Sequence, residues 1–258
     1  MFRLAIAVVS LAIPISVGLL AVSCSTTDRA AISPPEIPEA HFVGNKTCAE
    51  CHAPITKTFP GSVHARVDLN RDKLAGGASC ESCHGPGSRH VEAGGGRGKF
   101  IVNPGREAAA CLKCHLETQA QFALPRHHPV PENKMNCVQC HDPHGSDIFK
   151  PKAGLAMARL NENCSHCHRE QSRAFVFEHE AMREGCTVCH APHGSANAKM
   201  LVERDANLCL KCHAQVQRGG DFYIGKVPHR VLLKQGTCWT SGCHTAVHGS
   251  NVHPQMFY

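Results

Sequence analysis

Eight times along this chain of 258 residues, two closely spaced cysteines are followed at once by histidine. The strings are CAECH ending at His52, CESCH at His84, CLKCH at His115, CVQCH at His141, CSHCH at His168, CTVCH at His190, CLKCH at His213 and CWTSGCH at His244. They take up sixteen of the 17 cysteines: Cys48, Cys51, Cys80, Cys83, Cys111, Cys114, Cys137, Cys140, Cys164, Cys167, Cys186, Cys189, Cys209, Cys212, Cys238 and Cys243. With 20 histidines in the chain, eight such hits by chance have a probability on the order of one in a billion. Zinc ribbons, redox pairs and disulfide frameworks also use close cysteines, but none of them requires the histidine. C-x-x-C-H is the attachment signature of c-type haem: two thiols add across the porphyrin vinyl groups, and the adjoining imidazole reaches the iron from one face. The sequence therefore predicts eight haem c groups with the eight motif histidines as proximal iron ligands. The eighth motif, with four residues between Cys238 and Cys243, widens the loop between its thiols and keeps the adjoining histidine.

An iron held by one imidazole has an opposite position to fill, and the histidines outside the motifs recur in register. Starting at Cys48, Cys111, Cys164 and Cys209, the chain repeats one pattern. A haem motif is followed by a histidine 11 to 16 residues after its own, then by a second motif and another histidine 3 to 6 residues on. The four repeats supply His64 and His90, His127 and His144, His179 and His193, and His229 and His248 as distal ligands. His127 is preferred over His128 because HHPVPE aligns with HEAMRE at His179. His41, His128, His166 and His253 are read as solvated side chains, and a distal histidine can serve a neighbouring repeat. Glycine beside several distal histidines, as in DPHGS, APHGS and AVHGS, suits a tight turn against a flat macrocycle.

Only 5% of the residues are aromatic, and 16 prolines with 22 glycines interrupt any long element. Apolar residues at helical spacing precede the motifs in REAAACLKCH and GLAMARLNENCSHCH. The expected fold is mainly irregular with short α-helices and little β structure, its core filled by porphyrin rather than aliphatic side chains.

Residues 1–23 read as a lipoprotein-like signal segment, with Arg3 ahead of a long apolar run, and residues 24–41 as a Pro-rich tether. The octahaem domain is expected over 42–258, as four two-haem repeats. Cys24 is the odd cysteine; LAVSC resembles a lipobox whose leucine is displaced by one position, making Cys24 the candidate for lipidation. Ser25 after it fits export onward to the outer membrane, so the expected location is the periplasmic side of that membrane.

The formal charge of +6 is no nucleic-acid signature, since each haem brings two propionates against one net positive charge. AGGGRGKF lacks the Gly-Lys-Ser/Thr ending of a phosphate loop and reads as a turn. Arg66, Arg89, Arg126 and Arg230 lie within two residues of distal histidines, where they are either propionate partners or surface charges.

The segments HHPVPENKMNCVQCHDPHG, FVFEHEAMREGCTVCHAPHGSANAKMLVERDANLCLKCH and VHGSN resemble the MtrA/DmsE family of periplasmic multihaem cytochromes with doubled C-x-x-C-H motifs, over nearly all of 44–251. The resemblance implies an elongated electron wire that sits inside an outer-membrane β-barrel and exchanges electrons with redox partner proteins. The chain departs from that family in carrying eight motifs where ten are typical, and in its lipid anchor. A multihaem reductase of the nitrite, hydroxylamine or tetrathionate type is the rival reading. It would need an open iron, often marked in those families by C-x-x-C-K, and that string does not occur. A subunit of a conductive extracellular filament is a third reading. The favoured expectation is an electron carrier, not an enzyme.

Overall fold

Each of the seven regularly spaced motifs closes as a single helical turn. The histidine N–H donates to the carbonyl of the first cysteine at 2.9 to 3.1 Å in all eight, from His52 on Cys48 to His213 on Cys209. In the widened eighth motif His244 N–H reaches the Cys238 carbonyl at 3.0 Å, so the extra residues do not change the closure. The motifs are thus local structures written directly by the sequence.

The computed structural model describes residues 32–66, 80–145, 155–204, 206–213, 215–224, 226–239 and 242–258. Pro34–Tyr258 is one unit. The signal segment, Cys24 and the tether up to residue 31 lie outside the described residues. Residues 34–41, expected as the end of that tether, belong to the folded unit: the His41 N–H donates to Ser88 Oγ at 3.0 Å and its carbonyl accepts from Ser88 N–H at 3.2 Å. Among the described residues no helix is long and apolar enough to cross a membrane.

The first repeat carries helices α1 (Asn45–Cys51), α2 (Ala53–Thr58), α3 (Glu81–His84) and α4 (Ser88–Glu92). The second adds α5 (Ala108–Leu112) and α6 (Leu116–Phe122), and the third α7 (Leu155–Ser165), α8 (Arg169–Ser172) and α9 (Ala181–Glu184). The fourth has α10 (Ala206–Leu210). As the sequence predicts, α5 and α7 occupy REAAACLKCH and GLAMARLNENCSHCH. The strands are few: β1 (Phe177–Glu178), β2 (Gln215–Arg218), β3 (Asp221–Ile224), β4 (Val227–Pro228) and β5 (Gly249–Ser250). β2, β3 and β4 form one antiparallel sheet within the fourth repeat, and β1 pairs with β5.

Two equivalent antiparallel contacts join successive repeats. Arg126 and Ser195 exchange backbone bonds of 3.2 and 2.8 Å, tying the second repeat to the third. Phe177 pairs with Ser250, tying the third to the fourth. Both serines are buried and follow a distal His-Gly. Apolar packing is sparse: among the described residues the buried hydrophobic side chains are Ala108, Phe122, Val130, Leu160 and Ala246. Leu116, Val176 and Val231 are 63, 70 and 66% exposed, so aliphatic burial alone does not account for the fold.

Candidate haem sites

Seven motif histidines each face a second imidazole. His52 lies 6.4 Å from His90, His84 6.0 Å from His144, His115 6.0 Å from His64, and His141 5.9 Å from His193, between ring centroids. His168 lies 6.1 Å from His128, His190 6.2 Å from His248 and His213 6.2 Å from His179. Two imidazole-to-metal bonds of about 2 Å each, placed end to end, leave ring centroids roughly 6 Å apart. The spacing therefore fits one iron between each pair, with the two rings on opposite faces of a porphyrin.

The partners follow a rule that repeat spacing alone does not reveal. The second motif of one repeat faces the second distal histidine of the next: His84 with His144, His141 with His193, His190 with His248. The first motif of a repeat faces the first distal histidine of the one before: His115 with His64, His168 with His128, His213 with His179. Only His52 and His90 pair within their own repeat. Neighbouring repeats thus exchange imidazoles reciprocally.

Backbone carbonyls orient many of these rings. The Nδ1 of His84, His90, His190 and His244 lies 2.6 to 2.9 Å from the carbonyls of Val102, Lys99, Lys199 and Gln255. His128 Nδ1 reaches Pro192 O at 2.6 Å and His179 Nδ1 reaches Val247 O at 2.8 Å, each across a repeat boundary. His193 Nδ1 bonds the side chain of Gln121 at 2.9 Å. A histidine that donates Nδ1–H in this way presents its Nε2 lone pair, the arrangement expected of a metal ligand. Burial lowers the pKa of His84, His193 and His248, which favours the neutral, ligating form.

The expectation for His127 is corrected: the ring facing His168 is that of His128. His127 has both nitrogens engaged, Nδ1 with Leu124 O at 2.6 Å and Nε2 with Glu132 at 3.0 Å. The reason lies in the strand contacts. Arg126 matches Phe177, because each pairs with the serine after a distal His-Gly. The equivalent of His179, two residues past Phe177, is then His128 rather than His127. The connector between Phe122 and Arg126 is two residues longer than that between Phe175 and Phe177, which displaces the alignment of HHPVPE with HEAMRE.

His229, expected as a distal ligand, is not brought opposite His244. Its Nδ1 meets Val227 O at 2.8 Å, while the ring stacked on His244, at 5.6 Å, is that of Phe257. His253 packs on the other side of this cluster, 4.8 Å from Phe257. Two of the flagged arginines have protein partners: Arg89 bonds Pro38 O and Glu39 and lies over the Phe100 ring, and Arg230 bonds Gly220 O. The AGGGRGKF turn delivers the Lys99 carbonyl that holds His90.

None of the sixteen motif cysteines is in a disulfide. Within each repeat the first cysteines of its two motifs lie side by side: Cys48 with Cys80, Cys111 with Cys137, Cys164 with Cys186 and Cys209 with Cys238. Between repeats the second cysteines come within electrostatic range of one another: Cys83 of Cys114, Cys140 of Cys167 and Cys189 of Cys212. Consecutive motifs therefore neighbour one another from first to last, alternately through first and second cysteines. Asn45 and Asn161 reinforce two of the repeats from equivalent positions, each accepting the N–H of the second motif's first cysteine, Cys80 at 2.9 Å and Cys186 at 3.1 Å.

Sequence reasoning missed a phenylalanine seven residues after the first motif histidine in three repeats: Phe59, Phe122 and Phe175. Phe59 packs on His144 and Phe122 on His193, at 6.4 and 5.4 Å. Phe175 sits where a Cβ on Gly249 would meet it at 2.5 Å. Its regular spacing was the available signal. The His-Gly turns are likewise shaped by protein contacts: a Cβ on Gly194 would lie 2.0 Å from Gln121 O.

Covalent attachment strings, paired neutral imidazoles and haem-sized spacing together define a multihaem c-type cytochrome. Among such cytochromes the chain is similar to MtrA-like ones. A family described as doubled CXXCH motif matches residues 127–173 and 179–218, and one described as cytochrome c554 and c-prime matches 25–85. Multiheme cytochrome MtrA of Shewanella baltica is 32% identical over 221 residues, covering 81% of this chain. The chain spans 58% of the length of that relative. Multiheme cytochrome MtrC of the same organism is 23% identical over 61% of the chain and 26% of its own length. Dissimilatory sulfite reductase MccA of Wolinella succinogenes is 24% identical over 48% of the chain and 23% of its own length. Electron transfer through haem c is the shared chemistry of this class.

Proposed function

We propose that the chain holds eight haems in sequence order and conducts electrons along them within the bacterial cell envelope, toward an extracellular or respiratory acceptor. The observation carrying this is the alternation of cysteine contacts. Cysteines that lie side by side within a repeat, and within electrostatic range between repeats, support successive attachment sites being neighbours from Cys48 to Cys243. Bound haem c supplies a one-electron ferric/ferrous couple at each site. The residues fit that couple: at seven of the eight motifs a second imidazole stands where it would ligate the iron opposite the motif histidine, leaving no position there for a substrate, which favours a carrier over a reductase.

For the eighth site the exchange rule supports His229. At the front, His90 turns back to His52 of its own repeat; at the back, His229 is the first distal histidine left over and His244 the second-motif histidine left to receive it. A lipid on Cys24 would place the chain on the periplasmic face of the outer membrane, with redox proteins and a β-barrel as partners.

Intact mass and pyridine haemochromogen assay of the exported protein should give eight haems per chain, and electron paramagnetic resonance should show low-spin ferric haem throughout. A stoichiometric high-spin ferric signal overturns the carrier reading in favour of the reductase. Co-purification of a large β-barrel with the membrane-extracted protein tests the conduit against a free carrier.

A further inference from the structure

Glu81 is the deepest charged side chain described, 1% exposed, and it lies inside a haem motif, between Cys80 and Cys83. Its Oε1 accepts from Val43 N–H at 2.9 Å and Gly87 N–H at 2.8 Å, and its Oε2 accepts from Gly44 N–H at 2.8 Å. Three donors on two oxygens is the acceptor-only geometry of a carboxylate. No described lysine or arginine pairs with it, so backbone dipoles hold the charge without cancelling it. No other motif has an acidic residue directly after its first cysteine; the corresponding residues are Ala49, Leu112, Val138, Ser165, Thr187, Leu210 and Trp239. The carboxylate also lies within electrostatic reach of both Cys48 and Cys80, the first attachment cysteines of the repeat's two motifs.

Given the haem-loaded chain proposed above, we infer that Glu81 is a redox-positioning residue that lowers the potentials of the two haems of the first repeat and makes that repeat the electron-entry end. A buried anion stabilises the ferric iron, which carries one more positive charge, over the ferrous form; in a poorly solvated site that difference is weakly screened. Two of these hydrogen bonds fasten the Val43–Gly44 segment to the motif and the third ties in Gly87, so the charge is fixed in place. Electrons run from low to high potential, and a depressed first pair favours flow toward the later repeats.

The test is protein-film voltammetry of the full holoprotein with Glu81→Gln and Glu81→Asp, after haem counting and circular dichroism. Glu81→Gln should move the waves of the haems attached at Cys48/Cys51 and Cys80/Cys83 to more positive potential and leave the others unmoved, while Glu81→Asp keeps them low. Unmoved waves in a fully loaded Glu81→Gln protein overturn the inference, as does movement confined to other repeats. Where Glu81→Gln loses haem, a redox titration of the wild-type protein with haem-specific NMR assignment decides. The lowest potentials must belong to the first repeat, and any other location refutes the role. A wild-type haem count below eight, with the first repeat loaded, counts against the conduit and leaves the Glu81 outcome to be read by itself.

Discussion

The imidazole of His144 stacks on that of His84 at 6.0 Å and 12° from parallel, although one belongs to the second repeat and the other to the first. An iron site built from two repeats makes each repeat depend on its neighbour for coordination. His144→Ala should therefore alter the haem attached at Cys80 and Cys83, not the one attached at Cys137 and Cys140. Under the proposed serial conduction through eight haems, the expected signature is one high-spin ferric signal among eight, and end-to-end flux across proteoliposomes should fall far more than the one-eighth loss of sites. Flux falling only in proportion to intact sites would indicate independent haems in a storage protein.

His127 and His128 are adjacent but face different partners. His128→Gln should convert the haem at Cys164 and Cys167 to high spin, whereas His127→Gln should leave every haem low spin, with the resonance spectrum as the readout. His127 is raised by its hydrogen bond to Glu132, and Glu132 is lowered by the same bond. The raised histidine contributes stability below its unfolded pKa and loses it as pH rises through the folded value. The lowered carboxylate contributes above its unfolded pKa and loses it as pH falls through the folded one. The pair is therefore whole between the two folded values, and His127→Gln should flatten that part of a stability-against-pH curve; unchanged curvature would mean the surface contact contributes nothing measurable.

Gly194 has no room for a methyl group, because a Cβ would lie 2.0 Å from the carbonyl of Gln121 at the end of α6. Gly194→Ala should separate the second and third repeats locally, weaken the Gln121 hold on His193, and cost about 1–3 kcal/mol, as overpacking does. Denaturant unfolding of the holoprotein followed at the Soret band measures it. An unchanged midpoint would mean the turn moves aside freely.

Cys24 is the one cysteine outside the haem motifs. Under the proposed anchoring, Cys24→Ala should release the mature protein from membranes in soluble form with its full haem complement, since sixteen thiols remain for attachment. Membrane fractionation and haem counting check it. Unchanged fractionation would point to a retained N-terminal segment or a protein partner.

The sequence by itself determined the irregular, short-helix fold and the local closure of each cysteine–histidine motif, whose geometry depends on residues within a few positions of one another, as His52 on Cys48 illustrates. The tertiary structure decided which distal imidazole meets which motif. Those pairings depend on contacts between repeats, such as Arg126 with Ser195 and Phe177 with Ser250, and on connector lengths that spacing from the nearest motif does not register. That is why counting from His115 selects His127 while the strand contact selects His128. Glu81 reads in the sequence as one more polar residue within a motif. Only the packing of residues 43, 44 and 87 around it turns it into a buried charge, because burial is a property of what lies against a side chain and not of its place in the chain.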